Sequence, residues 1–179
     1  VMMMKKTFMK TVICVLVLLT AGVMMTSCGK SNVMESDEDI TAYVSDTFDD
    51  QISEYGDGAD VKIADEATTK DGFRLVAVSC GKKLTGGILM KKNDDGKYEI
   101  QQSRLEAEVP QVYFSQTEGD KTLICVVDNS ESVEVGIMAE NGDTRSFALD
   151  KDDPSAYIFS VDTAKFGDFS IEFRDADPQ

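Results

Sequence analysis

After Asp60 the apolar residues of this chain come in short runs broken by Gly, Asn, Asp and Pro, and in several runs they alternate with polar residues. A period of two belongs to the strand, whose side chains point to opposite faces in turn. Val61 and Ile63 open the pattern. Phe73-Arg74-Leu75-Val76-Ala77-Val78 reads as a well-buried strand. Gly86-Gly87-Ile88-Leu89-Met90 leads through Asn93-Asp94-Asp95-Gly96 into Tyr98-Glu99-Ile100-Gln101, a hairpin with turn chemistry at its tip. Pro110 then interrupts the chain. Beyond it, strands are predicted over 112–115, 122–127, 133–139, 145–149, 157–161 and 169–173, with Asn141-Gly142 and Asp152-Asp153-Pro154 as breaks. Val133, Val135, Ile137 and Ala139 alternate with Glu134 and Met138, as in a sheet with one wet face.

One segment has a different period. Ile40, Tyr43, Val44, Phe48, Ile52 and Tyr55 recur at spacings of three and four, which predicts an amphipathic helix over roughly 37–55. Ser36 with Asp39 is close to a capping box, Asp37, Glu38 and Asp39 suit a helix N-terminus, and Gly56 and Gly58 stop the helix. The expected fold class is therefore α+β and mostly antiparallel β. An N-terminal helix would pack on a β-meander over 37–108, followed by a small β-sandwich-like half over 109–176. The two halves could share one domain or one continuous sheet.

The first stretch is of another kind. Lys5, Lys6 and Lys10 precede the apolar run from Val12 to Leu19, and the smaller Thr20-Ala21-Gly22 follow it. This is the layout of a secretory signal, and the apolar segment from Val12 to Met25 falls short of the ~20 residues that a spanning helix needs. Met25-Thr26-Ser27-Cys28 resembles the lipobox of bacterial lipoproteins: an apolar residue, two small ones, then cysteine. The resemblance covers the signal region alone. It implies that residues 1–27 are removed, that Cys28 carries a diacylglyceryl group, and that the protein sits on the extracytoplasmic face of a cell membrane. Two acyl chains suffice for durable anchoring, whereas one is marginal. Residues 28–36, small and polar, would then form a lipidated tether.

Charge narrows the partners. All 33 acidic residues lie after Met34. Lys5, Lys6 and Lys10 leave with the signal, so 15 of the 18 basic residues remain against those 33, a formal charge of −18. Such a field repels nucleic-acid phosphates and anionic lipid, and it favours cations or a basic protein or peptide. The chain has no histidine, which closes the Ser-His-Asp and Cys-His mechanisms and the commonest zinc sites.

Two cysteines remain after the signal and the lipid site are set aside. Cys80 and Cys125 lie in or beside predicted strands, and export permits a disulfide between them. Two buried thiols acting as small hydrophobes are the alternative, and the preferred one. Ser79-Cys80-Gly81-Lys82 matches the S-x-x-K string of serine β-lactamases, but that chemistry needs the serine at a helix start, and here it ends a strand. Glu106 and Glu108 are a carboxylate pair of the sort that any acidic chain contains. Asp49-Asp50, Asp94-Asp95 and Asp152-Asp153 offer oxygen ligands, yet no calcium loop with its distal Glu surrounds them. Tyr157 and Phe159 share one side of a strand, as core packing would have it.

The sequence thus points to a lipid-anchored cell-envelope protein that is not an enzyme: a macromolecule-binding or structural module with no cofactor, no catalytic residue and no metal site. The alternative is a small-ligand or metal-binding lipoprotein accessory to a transporter.

Overall fold

The computed structural model describes residues 32–108, 111–118, 121–128, 132–140, 142–149, 154–162 and 169–175. The predicted signal and residues 28–31 of the expected tether, Cys28 included, lie outside them.

The chain enters through a two-residue strand, β1 (Val33–Met34), and turns into α1 (Asp37–Thr47). Ser36 caps α1: its hydroxyl accepts from the Asp39 N–H at 3.2 Å, while the Asp39 carboxylate accepts from the Ser36 N–H at 2.9 Å. Both bonds of a capping box are present. The single helix expected over 37–55 is in fact two. Phe48 breaks it, with φ −114° and ψ 28°, and α2 (Asp49–Tyr55) begins afresh behind it. The cause is local. Ser45 Oγ donates back to the Thr41 carbonyl at 2.8 Å, a bond that competes with the helix ladder and bends it. Asp49 and Asp50 then place negative charge on the first turn of the new helix.

Four long strands follow: β2 (Val61–Thr68), β3 (Phe73–Cys80), β4 (Leu84–Lys92) and β5 (Tyr98–Ala107). They pair antiparallel as a meander, and β1 adds to its edge, giving the order β1-β5-β4-β3-β2. The remaining six are β6 (Gln111–Glu118), β7 (Lys121–Asp128), β8 (Ser132–Ala139), β9 (Thr144–Ala148), β10 (Ser155–Asp162) and β11 (Phe169–Asp175). They form two three-stranded sheets, β10-β7-β6 and β11-β8-β9, again antiparallel. The fold is mostly antiparallel β with two short helices.

Strand alternation distributes the core. In β3, Val76, Val78 and Cys80 join Ile40 and Val44 of α1 in a first apolar cluster, while Phe73, Leu75 and Ala77 point the other way. That second face meets Val112, Phe114, Leu123, Cys125 and Val127 of β6 and β7. In β7 the alternation repeats: Ile124 and Val126 turn away to meet Ile137 and Ala139 of β8. So the first sheet and the β10-β7-β6 sheet are each apolar on both faces. This is why their central strands read as unbroken hydrophobic runs. The last sheet keeps a wet face, where Met138 is 45% exposed. Val133, placed by alternation on the inner face, is as exposed as Met138, because the register shifts between Arg174 and Asp175 at that end of the β8–β11 pair.

Polar bonds also cross between the first sheet and the β10-β7-β6 sheet: Gln102 of β5 donates to the Ser115 carbonyl of β6 at 2.9 Å. A register shift between Ile63 and Asp65 turns the Asp65 carboxylate toward β10, where it accepts from the Ala156 N–H at 2.9 Å.

Candidate functional site

The root of the expected tether is a built structure. Met34 is only 5% exposed and belongs to the first apolar cluster. Val33 and Met34 pair with Glu99 and Tyr98 of β5, and the Asn32 carbonyl accepts from the Ile100 N–H at 3.0 Å. Glu35 is held twice: its N–H donates to the Asp39 carboxylate at 3.0 Å, and its own carboxylate takes the Lys97 ammonium. Residues 32–36, the described part of the expected lipidated tether over 28–36, form this edge strand and the cap of α1. The signal was too short to read: two apolar residues, Val33 and Met34, carry no period.

The helical layer is uniformly acidic. Residues 31–61 contain Glu35, Asp37, Glu38, Asp39, Asp46, Asp49, Asp50, Glu54, Asp57 and Asp60, and no lysine or arginine. Accepting the Glu35 and Ser36 N–H bonds holds the Asp39 carboxyl below its ordinary range. Among the described residues, cations reach this layer from the first sheet: Lys97 of the β4–β5 hairpin meets Glu35, and Arg74 reaches in from β3. Arg74, on β3, donates to Glu66 and to Asp37 at the head of α1, and it lies over the Tyr98 ring at 5.6 Å. Its side chain is 17% exposed, so it fastens helix to sheet more firmly than a solvated pair would.

The two thiols are apart. Cys80 belongs to the first cluster and donates to the Ala59 carbonyl at 3.0 Å; Cys125 sits in the second cluster, on the far side of the first sheet. Both are free and buried, so the disulfide considered from sequence is not formed. Burial pushes Cys125 up to about 12 and, with Asp60 nearby, raises Cys80 as well. Neither has the electropositive, exposed setting of a reactive thiol.

The remaining sequence candidates do not converge. Ser79 lies within β3 opposite Lys62, and Gly81 adopts φ +63° in the β3–β4 turn, so the S-x-x-K string has no helix to bring its lysine onto its serine. Glu108, just past β5, donates its N–H to the Lys83 carbonyl at 2.9 Å and forms an exposed ion pair with the Lys83 ammonium at 3.8 Å, while Glu106 is opposite Thr85 within the sheet. Asp49-Asp50 open α2, and Asp94-Asp95 lie in the turn between β4 and β5. Asp152-Asp153 lie outside the described residues. Among the described residues no three His, Cys, Asp or Glu side chains are grouped to hold a metal ion. Nor is any helix among them long and apolar enough to cross a membrane.

A polar group that sequence reading passed over sits where the strands of the last two sheets end. Gln111 Nε2 donates to Ser132 Oγ at 3.3 Å, and Ser132 Oγ donates to Asp175 at 3.0 Å. Asp128 and Ser155, paired in register beside them, are buried. Such a group fixes strand register, since each member needs its partner once water is excluded.

No family model, curated protein or solved structure matches this chain.

Proposed function

We propose that this is an exported lipoprotein of the cell envelope, held by two acyl chains on Cys28, whose mature body binds a basic protein or peptide and performs no catalysis. The observation that carries the address is the ordered run of Lys5, Lys6 and Lys10, the apolar stretch, and Met25-Thr26-Ser27-Cys28. The binding role is supported by the helical layer, with ten acidic residues and no cation over 31–61. A partner with lysines or arginines in a cluster would be steered there by the field. On this reading the two three-stranded sheets are a small sandwich that serves as scaffold, with α1 and α2 as the presented surface.

The test has two parts. Cys28→Ala should shift the protein from the membrane to the soluble fraction; retention on the membrane removes the address. The lipid-free mature chain, immobilised, should capture basic proteins at low salt and release them near 1 M, where screening shortens to ~3 Å. Capture with no preference for basic proteins, unchanged by salt, removes the partner.

A further inference from the structure

The docking of β1 leaves very little chain between the fold and the lipid, and this has a geometric consequence for the anchored protein. Asn32 is already bonded to Ile100 on β5, and Cys28 stands four residues earlier. A chain advances at most ~3.6 Å per residue, so Cys28 lies within about 14 Å of Asn32 whatever path residues 29–31 take. The acyl chains place Cys28 at headgroup level. A flexible linker would let the body swing clear; here the root is packed through Met34, paired with β5 and tied through Glu35 to Lys97.

We propose that the bilayer surface is the standing partner of the β1–β5 edge, and that the protein works membrane-apposed with this edge down. The inference rests on Cys28 being the lipidated residue. Charge selects the same orientation. The β4–β5 hairpin over 91–107 balances Lys91, Lys92, Lys97 and Arg104 against Asp94, Asp95, Glu99 and Glu106. The segment over 31–61 carries ten acidic residues and no lysine or arginine of its own; Lys97 and Arg74 answer Glu35 and Asp37, and anionic headgroups repel the net charge that remains within a screening length of ~8 Å. The neutral hairpin edge therefore meets the lipid more readily than the acidic helical layer does. The opposite edge of the sheet, β2, is three strand spacings farther from β5, about 14 Å.

The chain contains no tryptophan, so one introduced residue is a clean energy-transfer donor. A chain beginning at Cys28 is coupled there to a synthetic diacyl maleimide and bound to phosphatidylethanolamine–phosphatidylglycerol vesicles bearing dansyl headgroups. Gln101→Trp on β5 should transfer to the dansyl lipid severalfold more efficiently than Lys62→Trp on β2, both positions being exposed. Inserting a flexible Gly/Ser segment of about 12 residues after Gly29 should erase that difference. Equal transfer from the two positions with the native spacing, or a difference that survives the insertion, overturns the proposal. Because the anchor is supplied chemically, this result is independent of whether cells lipidate Cys28, which the Cys28→Ala fractionation reads separately.

Discussion

The core under the helices and the core between the last two sheets are built on opposite plans. Under α1 and α2 the fill is aliphatic and closed: Ile40, Val44, Val76, Val78, Ile88 and Met90 are fully buried. Between β10-β7-β6 and β11-β8-β9, a small buried centre of Ile124, Val126, Ile137, Ala139 and Val161 is ringed by half-buried aromatics. Phe147 stacks on Phe159 with centroids 4.4 Å apart, and Tyr157 lies parallel to Phe159 at 6.1 Å. Rings cover more area per residue than aliphatic side chains, so a thin pair of sheets can shield its centre without a third layer. The lesson concerns thickness. A sheet covered on both faces can use small branched residues throughout, whereas one with a wet outer face must seal its inner face with large ones.

The largest test of this contrast is a truncation pair. Ile88→Ala, in the closed core, should cost about 2–5 kcal/mol, because the lost contacts leave a cavity that neighbours on both sides cannot fill. Met138→Ala, on the outer face of the last sheet, should change stability by no more than about 0.5 kcal/mol. Urea midpoints of the lipid-free mature chain measure both. Similar shifts for the two variants would mean that the sheets do not differ as their burial indicates.

How far these cores could be read from sequence follows from the same contrast. Phe73 to Val78 is apolar at five of six positions, and such a run in a strand demands cover on both faces; β3 has it. The alternation of Val135, Ile137 and Ala139 with Glu134 and Met138 foretold the wet face of β8. Strand positions after Asp60 were legible, since turn residues bracket each run. What could not be read were features set by single contacts. Nothing in Val33-Met34 announces an edge strand, because two residues have no period. The break at Phe48 depends on a hydroxyl choosing the Thr41 carbonyl. The division of strands into three sheets needs knowledge of which faces meet, and alternation gives the faces but not their partners. For the proposed anchor, the motif that ends at Cys28 can be read in the sequence, while the docking of Val33-Met34 on β5 cannot.

A second pair sharpens the comparison at the backbone. Gly86 in β4 has no room for a side chain: an added Cβ would lie 2.0 Å from the Arg104 carbonyl oxygen on β5. Backbone cannot rotate aside, so Gly86→Ala should force β4 and β5 apart at a cost of about 1–3 kcal/mol. Gly136 in β8 is also covered, yet its nearest obstacle is the flexible end of Arg174 at 3.4 Å. Gly136→Ala should be neutral or slightly stabilising, as the guanidinium moves and the unfolded chain loses freedom. Thermal midpoints decide it. A larger loss at Gly136 than at Gly86 would show that the last sheet, not the first, is the tightly registered one.

The smallest effect belongs to the capping box, and it has a pH signature that the last two sheets should not share. The Asp39 carboxylate accepts from the Glu35 and Ser36 N–H groups, and those bonds, stronger to the ionised form, lower its folded value below 3.8. For a depressed carboxyl the stabilisation is fully present above its unfolded value and is lost as pH falls through the folded one. Acidification below about pH 4 should therefore loosen the head of α1 first and free Glu35, the residue that links β1 to Lys97. Asp39→Asn keeps an acceptor oxygen but removes the titration. In amide hydrogen exchange, the Ser36 and Glu35 amides of the parent should lose protection between neutral pH and pH 3, after correction for intrinsic rates. In Asp39→Asn their protection should be lower at neutrality and change less on acidification. Equal acid sensitivity in the two proteins would mean that some other carboxylate secures the junction between β1 and α1.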